Sequence, residues 1–410
     1  MKRFFFLPIT LLAACAPSAT TPGAYLYVWA GDSAAQASDF LAVVDADPAS
    51  PHYGAVLRSV TTGAVGTHPH HTEDVVPADD HLLANGHSAG KTWLFDLSTP
   101  GHPKILTEFG DVGGYRHPHS FFRMADGNVI STFQYHADRD AMPAGHEGMA
   151  HGGPQVTGGL VEMSERGEVI RTGSAADPVE PGLFPYSVLQ LPAMDRAVST
   201  TTDMGLGESH ATGEWIQFWR LSDLKLLRSV HLVTGPHGTE HQYTGEPRLL
   251  PDGKSVYVHT FGCGLYLVRG IDTDAPTASL VASFNGMFCG VPVLTGHWWL
   301  QPVPADHALL TLDISDPEHP REVARLDLPG EQPHWLAIDP TGRRLVINSA
   351  GRGTAGRLYV VNFDPATGAL AFDAAFHDAG DTHPGITMKG RAWPHGWTGT
   401  AAPHGSVFSR

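Results

Sequence analysis

The feature that most constrains this chain is a strand missing from its start and a matching strand at its end. Short β-rich runs bounded by Gly, Pro, Asp and Asn recur along the sequence, and no long stretch places apolar residues at helical spacing. The clearest unit begins at His70-His71-Thr72, passes the turn Asp79-Asp80, and continues as strands over 81–85, 92–97 and 104–109. Four strands separated by turns are the content of one propeller blade. Near the start of the chain, 25–29, 40–45 and 55–60 match only the second, third and fourth strands of that unit. The tail His404-Gly405-Ser406-Val407-Phe408-Ser409 looks like His119-Ser120-Phe121-Phe122, which opens a blade. A tail strand that completes the first blade closes a ring and leaves no exposed edge.

The pattern therefore predicts an all-β fold, a seven-bladed β-propeller closed by pairing of the C-terminal strand with the N-terminal blade. The blades fall at about 24–63 plus 403–409, 67–112, 115–177, 183–234, 240–286, 289–329 and 331–377, within one domain over 24–410. Ala125-Asp126-Gly127, Pro251-Asp252-Gly253 and Pro340-Thr341-Gly342 stand between first and second strands, where a tight hairpin needs a residue tolerant of positive φ.

Lys2 and Arg3, a short apolar run over 4–12 and Leu12-Ala13-Ala14-Cys15 read as an export signal over 1–14. Small residues before Cys15 predict lipidation of that cysteine, with a tether over 15–23; cleavage further on, near Ala19, is the alternative. Ala16 in place of an aspartate points to the outer membrane, facing the periplasm. Acidic residues outnumber basic ones by 42 to 26 without any Lys/Arg cluster, which argues against nucleic acid or an anionic lipid surface as partner. Membrane contact is expected through the lipid anchor alone. Cys263 closes a second strand and Cys289 precedes the next blade, so a disulfide between adjacent blades is expected in an oxidising compartment. Paired metal thiolates or free thiols are the other options.

In a propeller the first strand of each blade lines the central channel, so residues at those starts converge on one axis. Here they include His70, His71, His117, His119, His334 and His404. Several imidazoles with few carboxylates suit copper or zinc better than calcium or magnesium. His71, His119 and His404 are the first candidates for metal ligands. His70 should point away from His71 on a regular strand. His117, His334, Glu246 and His395 form a second tier. His136, Asp138, His146 and His151 lie in a long Gly-rich loop that could gather metal ions weakly. No P-loop, Gly-x-Ser-x-Gly elbow or His-Glu-x-x-His helix is present, and no catalytic residue is assigned.

The sequence resembles the selenium-binding protein and methanethiol oxidase family from about Gly66 to the end. The likeness rests on His70-His71-Thr72 and on His119 leading into Ala125-Asp126-Gly127-Asn128-Val129-Ile130-Ser131. It extends to Pro185-Tyr186 with Val198-Ser199-Thr200, to Leu312-Asp313-Ile314-Ser315-Asp316-Pro317 with His319-Pro320, and to Glu246 and His404. The resemblance implies copper held by His70 or His71, His119 and His404. It also implies oxidation of methanethiol by dioxygen to formaldehyde, hydrogen sulfide and hydrogen peroxide. The family's Cys-containing segment is absent, since Glu73-Asp74-Val75 follows the His-His-Thr element, so selenium attachment is not expected. Three functions are open at this point. They are a periplasmic copper oxidase of methanethiol or a related small sulfur compound, a copper- or zinc-binding chaperone or scavenger without turnover, and a metal-free propeller that binds a ligand or protein.

Overall fold

A computed structural model describes residues 21–136, 157–178, 183–204, 213–354 and 356–410. Seven sheets of four or more strands stand in sequence order around an axis, and each is an antiparallel meander. Ring closure takes the expected route. Ala401–Phe408 pairs with Tyr25–Asp32, which pairs with Ser38–Asp45 and then Val56–Val65, so the first blade joins both ends of the chain. The closing strand starts earlier than the predicted 403, at Ala401. The turn Pro251-Asp252-Gly253 has its glycine at φ 67°, as the hairpin chemistry requires.

Alternation along the strands places the core. In the second and third strands of a blade, successive side chains face opposite neighbouring blades, so apolar residues are needed on both faces. Tyr27, Trp29, Leu41 and Val43 pack on Leu82, Ala84, Trp93 and Phe95 of the next blade, whereas Leu26, Val28, Phe40 and Ala42 pack on Val346, Leu358 and Val360 of the last. Corresponding clusters fill every other junction between consecutive blades. The axis itself is lined by polar side chains. Residues 378–400, which the strand pattern leaves unassigned, add Ile386, Met388 and Trp393 to the core between the seventh and first blades: Ile386–Thr387 pairs with Arg357–Phe363, and Arg391–Ala392 pairs with Thr398–Gly399.

The segment read as an export signal, Cys15, Asp138, His146 and His151 lie outside the described residues. Cys263 and Cys289 form a disulfide that joins the fifth blade to the start of the sixth.

Candidate metal centre

The inner strands do not run regularly where they face the axis. Their pairing with the second strand slips at His70-His71, His119-Ser120, Tyr186-Ser187 and Gly245-Glu246. The closing strand has a matching irregularity beside His404-Gly405. A β-bulge turns two consecutive side chains the same way and leaves backbone groups without ladder partners. Polar side chains of the second strands take up those groups. His71 N donates to Asn85 Oδ1 at 2.7 Å, Ser120 N to Thr132 Oγ1 at 3.0 Å, Ser187 N to Thr200 Oγ1 at 3.2 Å, and Glu246 N to His259 Nδ1 at 2.8 Å. The bulge corrects the sequence reading of His70. It does not point away from His71: the two rings sit 4.5 Å apart, on the same side.

The result is a buried nest of imidazoles. One ring nitrogen each from His70, His71 and His119 lies within 4.8 Å of the others. His404 Nε2 stands 2.8 Å from His70 Nδ1. That separation suits an N–H···N hydrogen bond, which leaves His70 Nε2 and His404 Nδ1 as the nitrogens of the pair without a partner. His334 packs against His404 with ring centroids 4.9 Å apart, and Glu246 Oε1 is 3.9 Å from His71 Nδ1. His119 Nδ1 is 2.8 Å from the Tyr186 carbonyl, which requires a proton on Nδ1 and leaves the Nε2 lone pair free. The Tyr186 hydroxyl lies 3.3 Å from His71 Nε2, and its ring covers His119 at 3.8 Å.

Burial holds these rings neutral. The pKa values of His70, His71, His119, His334 and His404 lie well below that of free imidazole, first because the charged form is desolvated and then through neighbouring imidazoles or Arg352. Neutral imidazole is the ligand form. His70 Nε2, His119 Nε2, His404 Nδ1, both nitrogens of His334 and Glu246 Oε1 are buried without a hydrogen-bond partner. Unpaired buried polar groups are costly, and a cation that takes nitrogen ligands relieves that cost. The donor set is rich in imidazole and has one nearby carboxylate, so it fits copper or zinc and does not fit calcium or magnesium.

Two second-tier residues do not join the nest. His395 Nδ1 is 2.6 Å from Ser59 Oγ on the outermost strand of the first blade, and its ring packs on Phe40 at 4.8 Å. His117 stands one layer toward the rim, with Nδ1 2.9 Å from the His87 carbonyl. His136, at the near edge of the Gly-rich loop, packs on Tyr115 at 4.9 Å. Conversely, Tyr186, His259 and His87 belong to the site and were not singled out as site residues. A usable signal existed for the first: Pro69, Pro118, Pro185, Pro333 and Pro403 each precede the axial residue of their blade. His87 follows a second strand and carries no such mark.

Comparison with known proteins adds to this geometry. A segment of 119 residues is 34% identical to a methanethiol oxidase of a Hyphomicrobium species, and covers 26% of this chain and 26% of that protein's length. A selenium-binding protein structure from Sulfolobus tokodaii superposes with a TM-score of 0.71 at 16% identity, over 95% of this chain and 94% of that one. The segment match supports kinship with the methanethiol oxidase over that stretch, about a quarter of each chain. A periplasmic gluconolactonase from Pseudomonas aeruginosa shares the fold with a TM-score of 0.63 at 13% identity, over 94% of this chain and 99% of that one. At such identities the structural matches establish the propeller alone. No protein-family model matches the chain.

Proposed function

We propose that this protein is a copper-dependent oxidase of methanethiol or a related small sulfur compound. The observation that carries this reading is the buried nest itself: His70, His71 and His119 offer nitrogens within 4.8 Å of one another, with His404 joined to His70. The partial sequence match to a methanethiol oxidase supports the substrate class. In the reaction that the resemblance implies, methanethiol, dioxygen and water give formaldehyde, hydrogen sulfide and hydrogen peroxide. The carbon loses two electrons and dioxygen gains them.

His70, His71, His119 and His404 would hold copper, which supplies a soft, redox-active centre able to take a thiolate ligand and pass electrons to oxygen. The chain's own residues prepare the place. The Tyr186 carbonyl keeps the proton of His119 on Nδ1. Glu246, whose carboxyl is pushed upward in pKa by burial, faces His71 Nδ1 and is held from the other side by Ser187 Oγ at 2.5 Å and Arg248 at 3.1 Å. Phe261 and Trp335 wall the site beside Tyr186 and His71 and exclude water. For location, the basic and apolar start of the chain supports export with lipid attachment at Cys15, to the outer membrane and facing the periplasm. The Cys263–Cys289 disulfide suits that oxidising compartment.

A second reading, storage or delivery of copper or zinc without turnover, is favoured by the surplus of unpartnered imidazole nitrogens on the axis. Metal analysis followed by oxygen uptake with methanethiol separates the two. We expect one tightly held copper and dioxygen consumption, and His119→Ala should weaken copper binding more than tenfold. Copper binding without turnover selects the second reading. A folded protein that takes up no metal overturns both.

A further inference from the structure

The central imidazoles are buried, so an ion that they hold must reach them through the protein, and the two ends of the channel differ. Beyond the histidines, the inner strands lead to Arg248, bonded to Glu246 and, at 3.0 Å, to Asp74, and to Arg123, bonded to Glu73 at 2.8 Å. Arg123 is also bonded to Asp79 and Glu165, so the charges at that end are already taken up in ion pairs. The rim end carries three further histidines instead. His68 is exposed and stacks on His70 with ring centroids 5.4 Å apart. His117 is half-buried, with its ring 6.0 Å from His87. His87 lies between these and the centre, 5.6 Å from His70 and 5.7 Å from His119 by ring centroids. Arg352, from the seventh blade, also stands at this end, over Phe288 at 5.6 Å. These histidines, which come from the second and third blades, form a run of imidazoles that leads from the rim to the centre.

His87 is only 1% exposed, yet both of its ring nitrogens are without a partner. A leucine would fill similar space with no such penalty, whereas each unpaired buried polar group costs stability. The His87 ring lies 5.6 Å from that of His70, against 4.1 Å for His404, so it stands just outside the holding set. We infer that His68, His117 and His87 form an entry path that takes a copper or zinc ion from solvent and passes it to the central imidazoles. Each step exchanges one neutral imidazole ligand for another, and the ion keeps its charge. This rests on the reading of the nest as a metal centre.

The test is the rate at which metal-free protein loads Cu(II), followed by quenching of tryptophan fluorescence, with final copper content and affinity measured by equilibrium dialysis. Trp335 is 5.0 Å from the His71 ring and reports arrival at the centre. His87→Leu and, separately, His68→Ala should each load at least tenfold more slowly and reach the copper content and affinity of the wild type. His68 is exposed, so its substitution removes little packing. Unchanged rates in both variants overturn the path. Loss of copper content in His87→Leu also overturns it, because His87 would then be a holding ligand. A wild type that takes up no copper overturns the metal centre itself, a result visible before any variant is compared.

Discussion

Six imidazoles on or beside the axis, those of His70, His71, His87, His119, His334 and His404, have pKa values driven well down by burial. In the unfolded chain each titrates near ~6.5. Between the depressed values and ~6.5 the unfolded state therefore binds more protons than the folded one, so stability is complete above that pH and falls as pH drops through it. Each group contributes a slope of up to ~1.4 kcal/mol per pH unit. Glu73, pushed up to about 7 by burial, and Glu246, also raised, act in the opposite sense, but they are outnumbered. Denaturant unfolding of the metal-free protein should show stability falling by more than ~1.4 kcal/mol per pH unit between about pH 6.5 and 5.5. A flat profile would mean that these rings are not buried neutral. His71, His119, His334 and His404 were legible because they open blades. His87 was not, since its role depends on which rings surround it, and strand period carries no such information. His395 shows the converse, a histidine near the closing strand in sequence that folds onto the outermost strand of the first blade.

At the scale of elements, the bulge is the device that makes the site. A regular inner strand would turn one of His70 and His71 away from the axis; the slipped register brings both in, and Asn85 takes up the amide that the slip frees. The closing strand is held as closely. A Cβ on Gly405 would stand 2.6 Å from the Thr72 backbone nitrogen, so the strands that carry His404 and His70 can touch only because this residue has no side chain. Gly405→Val should cost about 1–3 kcal/mol in chemical denaturation and also weaken copper binding, since His404 is the neighbouring residue. Normal stability with normal copper affinity would show that the two strands are not coupled. Hairpin turns and strand order could be read from Gly, Pro and Asp spacing; the bulges could not, because register is a property of two paired strands.

The molecule as a whole is a ring of inter-blade cores with a polar axis. Without the last strand, the cluster between the seventh and first blades loses Ala401 and Phe408, and the one between the first and second loses Val407. The Cys263–Cys289 bond adds a covalent link across one junction, closing a sequence separation of 26. A Cys263→Ser/Cys289→Ser variant should be less stable by about 3 kcal/mol and still bind copper, because the link lies outside the imidazole nest. Loss of copper binding in a folded variant would place the disulfide within the site. Local periodicity and turn chemistry by themselves determined the all-β fold, the repeat and the pairing of the chain's two ends, because each blade writes its strands in consecutive residues. Which imidazoles meet, at what distance and in which protonation state was decided only by the tertiary structure. Those properties arise from bulges, burial and closure of the ring, all of which join residues far apart in the chain.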